Sequence, residues 1–185
     1  EHPLVCRYLK GVYELKPALP RYSEVWKVST VLDHLKTYKF AHELTLKELT
    51  IKLTMLLCLL MAQRCQTIHQ FDVNYIQALD DKYTITVMQK VKQSKPRRHL
   101  EPMELLEYVE DRKLCVVTHL TQYLGRPSQL RGKYGQLLLS YVKPHKPVSK
   151  ETISRWVKFV LREAGINVSK YAAQSSMNQT LESLS

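Results

Sequence analysis

Leu53-Thr54-Met55-Leu56-Leu57-Cys58-Leu59-Leu60-Met61-Ala62-Gln63-Arg64-Cys65-Gln66-Thr67-Ile68 is the most apolar stretch of the chain, and an arginine closes it. Apolar residues nearly all round a helix predict a central, buried element. A cation fixed to the end of such a helix cannot wander to water as a surface arginine does. It must be paired, for instance with Asp72, or it must wait for an anion. In a chain of net charge +11, phosphate is the fitting anion.

Working outward, Thr45 and Glu48 match a capping box and place the start of this helix at Thr45, with Leu46, Leu49 and Leu53 following. An earlier helix is expected from near Ser23, carrying Val25, Val28, Val31, Leu32 and Leu35 on one face. Downstream, Tyr83-Thr84-Ile85-Thr86-Val87-Met88 alternates as a strand does, with a return strand expected at His99-Leu100-Glu101. Asp111 and Arg112 lead into a helix with Val116, Leu120, Tyr123 and Leu124. Gln136 to Val142 reads as a strand or a buried helix. After Pro147, Ser149 is the expected N-cap of a helix with the stripe Ile153, Trp156, Val157, Val160, Leu161, and Gly165 follows its last turn. The sum is an α+β fold, mostly helical with a small antiparallel sheet.

The chain has 185 residues, 44% of them hydrophobic, enough for a real core. A pI near 9.5 points to a polyanionic partner, nucleic acid before an acidic membrane surface. The apolar run is interrupted by Thr54 and is about half of the ~20 residues a membrane span needs; no membrane role and no secretory signal are expected. Cys6, Cys58, Cys65 and Cys115 form neither a CxxC pair nor a zinc pattern with His69. Reduced thiols, no metal, no cofactor and no small-molecule substrate are therefore expected. A chain that opens on Glu1 and stops in a polar stretch reads as a piece of something longer.

The positive charge is not evenly spread. From Lys82 to Leu100 there is no acid, but there are Lys82, Lys90, Lys92, Lys95, Arg97 and Arg98, most of them in the turn between the two expected strands. A second acid-free stretch holds Arg126, Arg131, Lys133, Lys143, Lys146 and Lys150. Arg155, Lys158 and Arg162 continue it on the helix face opposite the apolar stripe. Such cations position a protein on phosphates without reading bases.

Ala62-Gln63-Arg64-Cys65-Gln66-Thr67-Ile68 resembles the first arginine box of the tyrosine recombinases, the phage-integrase family. Gln93-Ser94-Lys95-Pro96 resembles the family's lysine hairpin. Val148-Ser149-Lys150-Glu151-Thr152-Ile153-Ser154-Arg155-Trp156, then Gly165-Ile166, resembles the helix before its His-x-x-Arg box. These phrases are most similar to recombinases of eukaryotic mobile elements, the DIRS-like and Crypton-like groups. The resemblance implies a catalytic domain over residues 21–178, with 1–20 the end of a core-binding domain and linker, and 179–185 a divergent tail.

The resemblance also implies roles. In the family a tyrosine attacks a DNA phosphodiester and leaves a covalent phosphotyrosine. Guanidinium groups hold the phosphate oxygens through paired hydrogen bonds, and a hairpin lysine protonates the leaving oxygen. Arg64 takes the first arginine's role and Lys95 the lysine's, with Lys92 its alternative. Lys90, Lys92, Arg97, Arg98, Lys143, Lys146, Lys150 and Arg155 become DNA contacts. The box itself departs from the family: Gln174-Ser175-Ser176-Met177 stands where His-x-x-Arg is expected, and the nucleophilic tyrosine has no counterpart, Tyr171 lying upstream. The expectation is a truncated domain of DNA recombination and integration, nuclear or otherwise intracellular, that binds double-stranded DNA and is inactive alone. Self-association in a synaptic complex is expected of a full-length form only. A domesticated DNA-binding module without chemistry, or a helical protein-interaction domain, is the alternative.

Overall fold

The computed structural model describes residues 26–61, 65–80, 82–88, 102–126 and 131–168. The capping box forms as the sequence predicts. Thr45 N–H and hydroxyl both donate to Glu48 Oε2, at 2.9 and 2.7 Å, and Glu48 N–H donates back to Thr45 Oγ1 at 3.3 Å. Two orphan donors at the helix start are thereby satisfied. The helix that follows, Leu46–Met61, comes second among the described helices, after Val28–Thr37; the two are α1 (Val28–Thr37) and α2 (Leu46–Met61). Every residue of α2 from Leu49 to Leu59 is buried. Its two core threonines are tolerated because Thr50 and Thr54 hydroxyls donate to the carbonyls of Leu46 and Thr50, at 2.6 and 2.7 Å.

After α2 come α3 (Cys65–His69), a 3₁₀ turn at Val73–Tyr75, then β1 (Ile76–Ala78) and β2 (Lys82–Ile85). β3 (Met103–Leu106), α4 (Val116–Gly125) and α5 (Lys150–Glu163) complete the described elements. The strands form one antiparallel sheet in the order β1-β2-β3, with Gln77 opposite Thr84 and Tyr83 opposite Leu105. Among the described residues the fold is α+β and mostly helical. α2 is its centre: α4 and α5 pack on it, α3 and α1 also touch α5, and β3 leans on α4.

The described elements differ from the expectations at several points. The strand that returns to β2 is Met103–Leu106; the expected site at His99–Glu101 lies outside the described residues. β1 was not expected at all. The segment 136–142 is neither strand nor helix. It is irregular chain with isolated bridges at Asp72–Gln136 and Leu139–Pro147, and it buries Leu137, Leu138 and Leu139. Its backbone groups find partners one by one: Leu137 N–H donates to Phe71 O at 2.6 Å, and Leu139 N–H to the Tyr123 hydroxyl at 3.0 Å. The start of the first helix also moves, from Ser23 to Val28.

α5 follows the expected pattern closely. Ser149 accepts the Thr152 N–H as N-cap, and Ile153, Trp156, Val157, Val160 and Leu161 are buried. Burying each such side chain contributes about 1.5–3 kcal/mol before entropy is set against it. At the far end Gly165 takes φ +80°, with Gly165 N–H donating to Arg162 O and Ile166 N–H to Leu161 O, both at 2.9 Å. This pair of bonds is a Schellman cap. It turns the chain back so that Ile166 joins the core.

Candidate nucleic-acid interface

The amphipathic spacing that buries one side of α5 leaves Arg155, Lys158 and Arg162 exposed on the other, and Lys150, the first residue of the helix, is exposed at its N-terminal end. Two of them have weak ties within the helix. Lys150 Nζ lies 3.8 Å from Glu151 Oε1, and Arg155 Nη2 donates to Thr152 Oγ1 at 3.0 Å. Both contacts are on solvent-exposed side chains, where an ion pair contributes little and yields readily to a phosphate. Lys158 and Arg162 line a cavity of about 300 Å³ together with Ile166, Asn167 and Val168.

The loop before α5 adds Lys143 and Lys146, both exposed. The loop is held from inside. Ser140 N–H donates to Lys146 O at 2.8 Å, His145 N–H to Val142 O at 3.1 Å, and Val142 N–H to Ser140 Oγ at 3.2 Å. The Lys143–Pro144 peptide is cis. With these groups paired inside the loop, its two lysines face solvent directly ahead in sequence of the N-terminus of α5.

Two arginines of the same acid-free stretch do other work. Arg126, in the residue after α4, donates its guanidinium hydrogens to the carbonyls of Leu44, Ala41 and His42. It ties the end of α4 to the α1–α2 connection. Arg131 is buried and donates to Gln136 O and, at 3.1 Å, to Leu137 O; burial lowers its pKa. Lys82, at the head of the first run, reaches Glu104 Oε1 across the sheet at 2.8 Å. Counting charges in sequence therefore overstates the surface that can meet a polyanion. Nothing in the spacing of Arg126 or Arg131 marks them as structural; only the carbonyls around them do.

Of the expected site residues, Lys143, Lys146, Lys150 and Arg155 are brought onto one continuous stretch of loop and helix, and Lys158 and Arg162 extend it. Arg64, Lys90, Lys92, Lys95, Arg97, Arg98, Gln174 and Met177 lie outside the described residues, as do Tyr171 and residues 1–20. Their flanks are described. Position 64 falls between the end of α2 and the start of α3, both of which pack against α5. Position 95 falls between β2 and β3, whose antiparallel pairing brings Ile85 opposite Met103. Asp72, the alternative partner for Arg64, accepts both the backbone and side-chain N–H of Asn74 at 2.8 Å. It stands so near Gly135 that a Cβ there would come within 2.3 Å of its Oδ2.

No protein-family profile matches the chain, and no curated protein matches it. Among solved structures it is similar to XerH site-specific recombinase bound to difH substrate in a pre-cleavage complex. The TM-score is 0.61 at 12% identity, over 90% of this chain and 43% of that one. A post-cleavage complex of XerH with a palindromic difH substrate matches at TM-score 0.61 and 11% identity, over 89% and 42% of the two chains. The chain thus spans less than half of these recombinases. At such identity the likeness establishes the fold alone: it is tyrosine-recombinase-like.

Proposed function

We propose that the chain is a DNA-binding domain of tyrosine-recombinase type that acts on double-stranded DNA in recombination and integration. The observation that carries this reading is the cationic stretch Lys143, Lys146, Lys150, Arg155, Lys158 and Arg162, set on a recombinase-like fold. Arg64 and Lys95 (or Lys92) are assigned the phosphate and leaving-oxygen positions, and Lys90, Lys92, Arg97 and Arg98 further backbone contacts. The motif phrases support kinship with DIRS-like or Crypton-like mobile elements, hence a nuclear site of action, and synaptic self-association of a longer form.

Gln174 and Met177 favour binding without strand cleavage. A glutamine cannot shuttle a proton at neutral pH, and a methionine offers no charged donor to the phosphate, a loss of roughly 10²–10³ in rate for even one neutral donor. This is also the specific ground for reading the domain as a module retained for holding DNA.

Duplex-DNA binding across a salt series tests the proposal. Six phosphate contacts predict affinity falling about 10³-fold between 50 and 200 mM salt. The triple variant Lys143→Ala, Lys146→Ala, Lys158→Ala should weaken binding on every sequence and reduce the salt slope by about 1 per residue. Binding that is absent at low salt, or indifferent to salt, would instead favour a helical protein-interaction domain.

A further inference from the structure

Phe40 is a large apolar side chain held in solvent. It lies in the connection between α1 and α2, residues 38–45, with 47% of its surface exposed. The turn that carries it is tied down. Phe40 N–H donates to Glu43 Oε2 at 3.1 Å, and Glu43 N–H donates to Phe40 O at 2.9 Å. Arg126 donates to the carbonyls of Ala41, His42 and Leu44, and the side chains of Ala41 and Leu44 are buried. Anchored by these two residues, the turn keeps the Phe40 ring outward.

Other groups are ordered around the ring. His42, also exposed, lies nearly parallel to it, with 13° between planes and 6.1 Å between centroids. Lys113 Nζ sits over the ring, 5.2 Å from its centroid, while donating to Lys36 O at 3.2 Å. Lys36 near the end of α1, Lys39 in the turn and Lys47 at the start of α2 are exposed. The acids close by are already engaged. Glu43 accepts the Phe40 N–H and Glu48 closes the capping box. Asp111 lies 3.8 Å from Lys36 Nζ and accepts the Lys113 N–H at 2.9 Å.

Exposed, nearly parallel rings among cations match the chemistry of an unpaired nucleobase and its flanking phosphates. Every base has a flat π-face that gains by covering an aromatic ring, and lysines replace the counterions of the backbone. A duplex keeps those faces stacked inside and cannot offer them. We propose that the α1–α2 connection is a site for single-stranded nucleic acid. An unpaired base stacks on the Phe40–His42 rings, and Lys36, Lys39 and Lys47 hold the phosphates on either side. Because the turn is fixed before the strand arrives, little ordering cost is set against the stacking. The site shares no residue with the basic face of α5 and does not rest on the function proposed above.

Fluorescence anisotropy of a labelled oligothymidylate of about 12 nucleotides, within the usual range of single-strand sites, tests the proposal. The full chain carries Lys143→Ala, Lys146→Ala and Lys158→Ala, so that the basic face of α5 contributes little. In that background Phe40→Ala should weaken binding at least about 5-fold, the lower end of one base–aromatic stack. Phe40→Leu, which keeps apolar bulk without a π-face, should weaken it alike, and Phe40→Trp should preserve it. An abasic oligomer of the same length should bind the background chain and Phe40→Ala equally. Lys39→Ala with Lys47→Ala should lower the salt slope by about 0.7 for each lysine. Should Phe40→Ala not fold, the contrast between Leu and Trp at this position carries the same test. A Phe40→Leu variant that binds like its background, or that loses as much on the abasic oligomer, would overturn the stacking site. Competition by polyglutamate as strong as by unlabelled oligothymidylate would overturn it too, marking the turn as a general anion surface. A wild-type chain that binds oligothymidylate through Phe40 but no duplex would sink the function above and leave this site standing.

Discussion

Lys52→Met should stabilise the protein at neutral pH. Lys52 lies in the middle of α2 with no exposed surface, and its Nζ has no hydrogen-bond partner. Nζ lies over the Tyr38 ring, 5.5 Å from its centroid. Burial, helped by the Lys113 ammonium and opposed by Asp111, pushes its pKa from the ordinary 10.5 down to about 8. The folded state therefore holds this proton less tightly than the unfolded chain. The penalty is full below pH 8, shrinks as pH rises toward 10.5, and vanishes above it. A difference of about 2.5 units at 1.36 kcal/mol each is about 3 kcal/mol, and about 2–3 kcal/mol is expected once the interaction with the Tyr38 ring is lost with the charge.

Methionine keeps the apolar stem and removes the charge, so the variant should gain most of that at pH 7. The gain corresponds to a rise of roughly 5–10 °C in Tm for a domain this size. Urea unfolding followed by circular dichroism at pH 7, 8.5 and 10 measures it directly. The advantage of the variant must fall as pH rises. A methionine variant that is neutral or less stable at pH 7, or whose advantage does not change with pH, would show that Lys52 is solvated or paired and that the reasoning is wrong.

His119 should make the acid limb steep. Burial pushes its imidazole to about 4, against a weaker opposing pull from the Cys115 carbonyl, which lies 2.7 Å from Nδ1. Because the folded pKa is depressed, stability present above pH 6.5 is lost as pH falls toward 4; His119→Leu should flatten that loss in acid-unfolding curves. Gly135→Ala places a methyl 2.3 Å from Asp72 Oδ2 and 2.8 Å from Asn74 Nδ2, which should cost about 1–3 kcal/mol in urea unfolding. Ser149→Ala removes the N-cap of α5 and should cost about 1 kcal/mol by the same assay. Arg131→Ala should unfold at lower urea, because the carbonyls of Gln136 and Leu137 lose their donor. Lys146→Ala, at an exposed side chain, should unfold at the same midpoint as the wild type.

The parts of the fold that depend on local chemistry could be read before the structure. The capping box at Thr45 and Glu48, the Ser149 cap, the five-residue stripe of α5 and the Gly165 terminator are each signals within one or two turns of chain. What could not be read depends on distant partners. β3 has the sequence Met103-Glu104-Leu105-Leu106, which favours a helix by composition, yet it is a strand because β2 offers it a ladder and α4 covers Leu105. β1 is three residues long, too short for alternation to register. The leucines at 137–139 carried no periodicity, and their backbone is satisfied by Phe71 and Tyr123 rather than by a regular ladder.

The candidate interface divides along the same line. α5 announced its basic face through the same periodicity that announced its apolar one, since each is the complement of the other. The loop lysines 143 and 146 followed from charge density alone. Charge density failed for Arg126 and Arg131, because a guanidinium satisfied by carbonyls and one waiting for phosphate look alike in sequence. The distinction has a physical consequence for the DNA experiment. Only a cation that exchanges solvent counterions for phosphate contributes to the salt slope, and Arg126 and Arg131 are engaged by the protein itself. Removing either should lower binding only through stability, with the slope of the remaining folded fraction unchanged. A slope that tracked the total basic charge of the run, rather than its exposed members, would mean that these two guanidinium groups leave their carbonyls when DNA arrives.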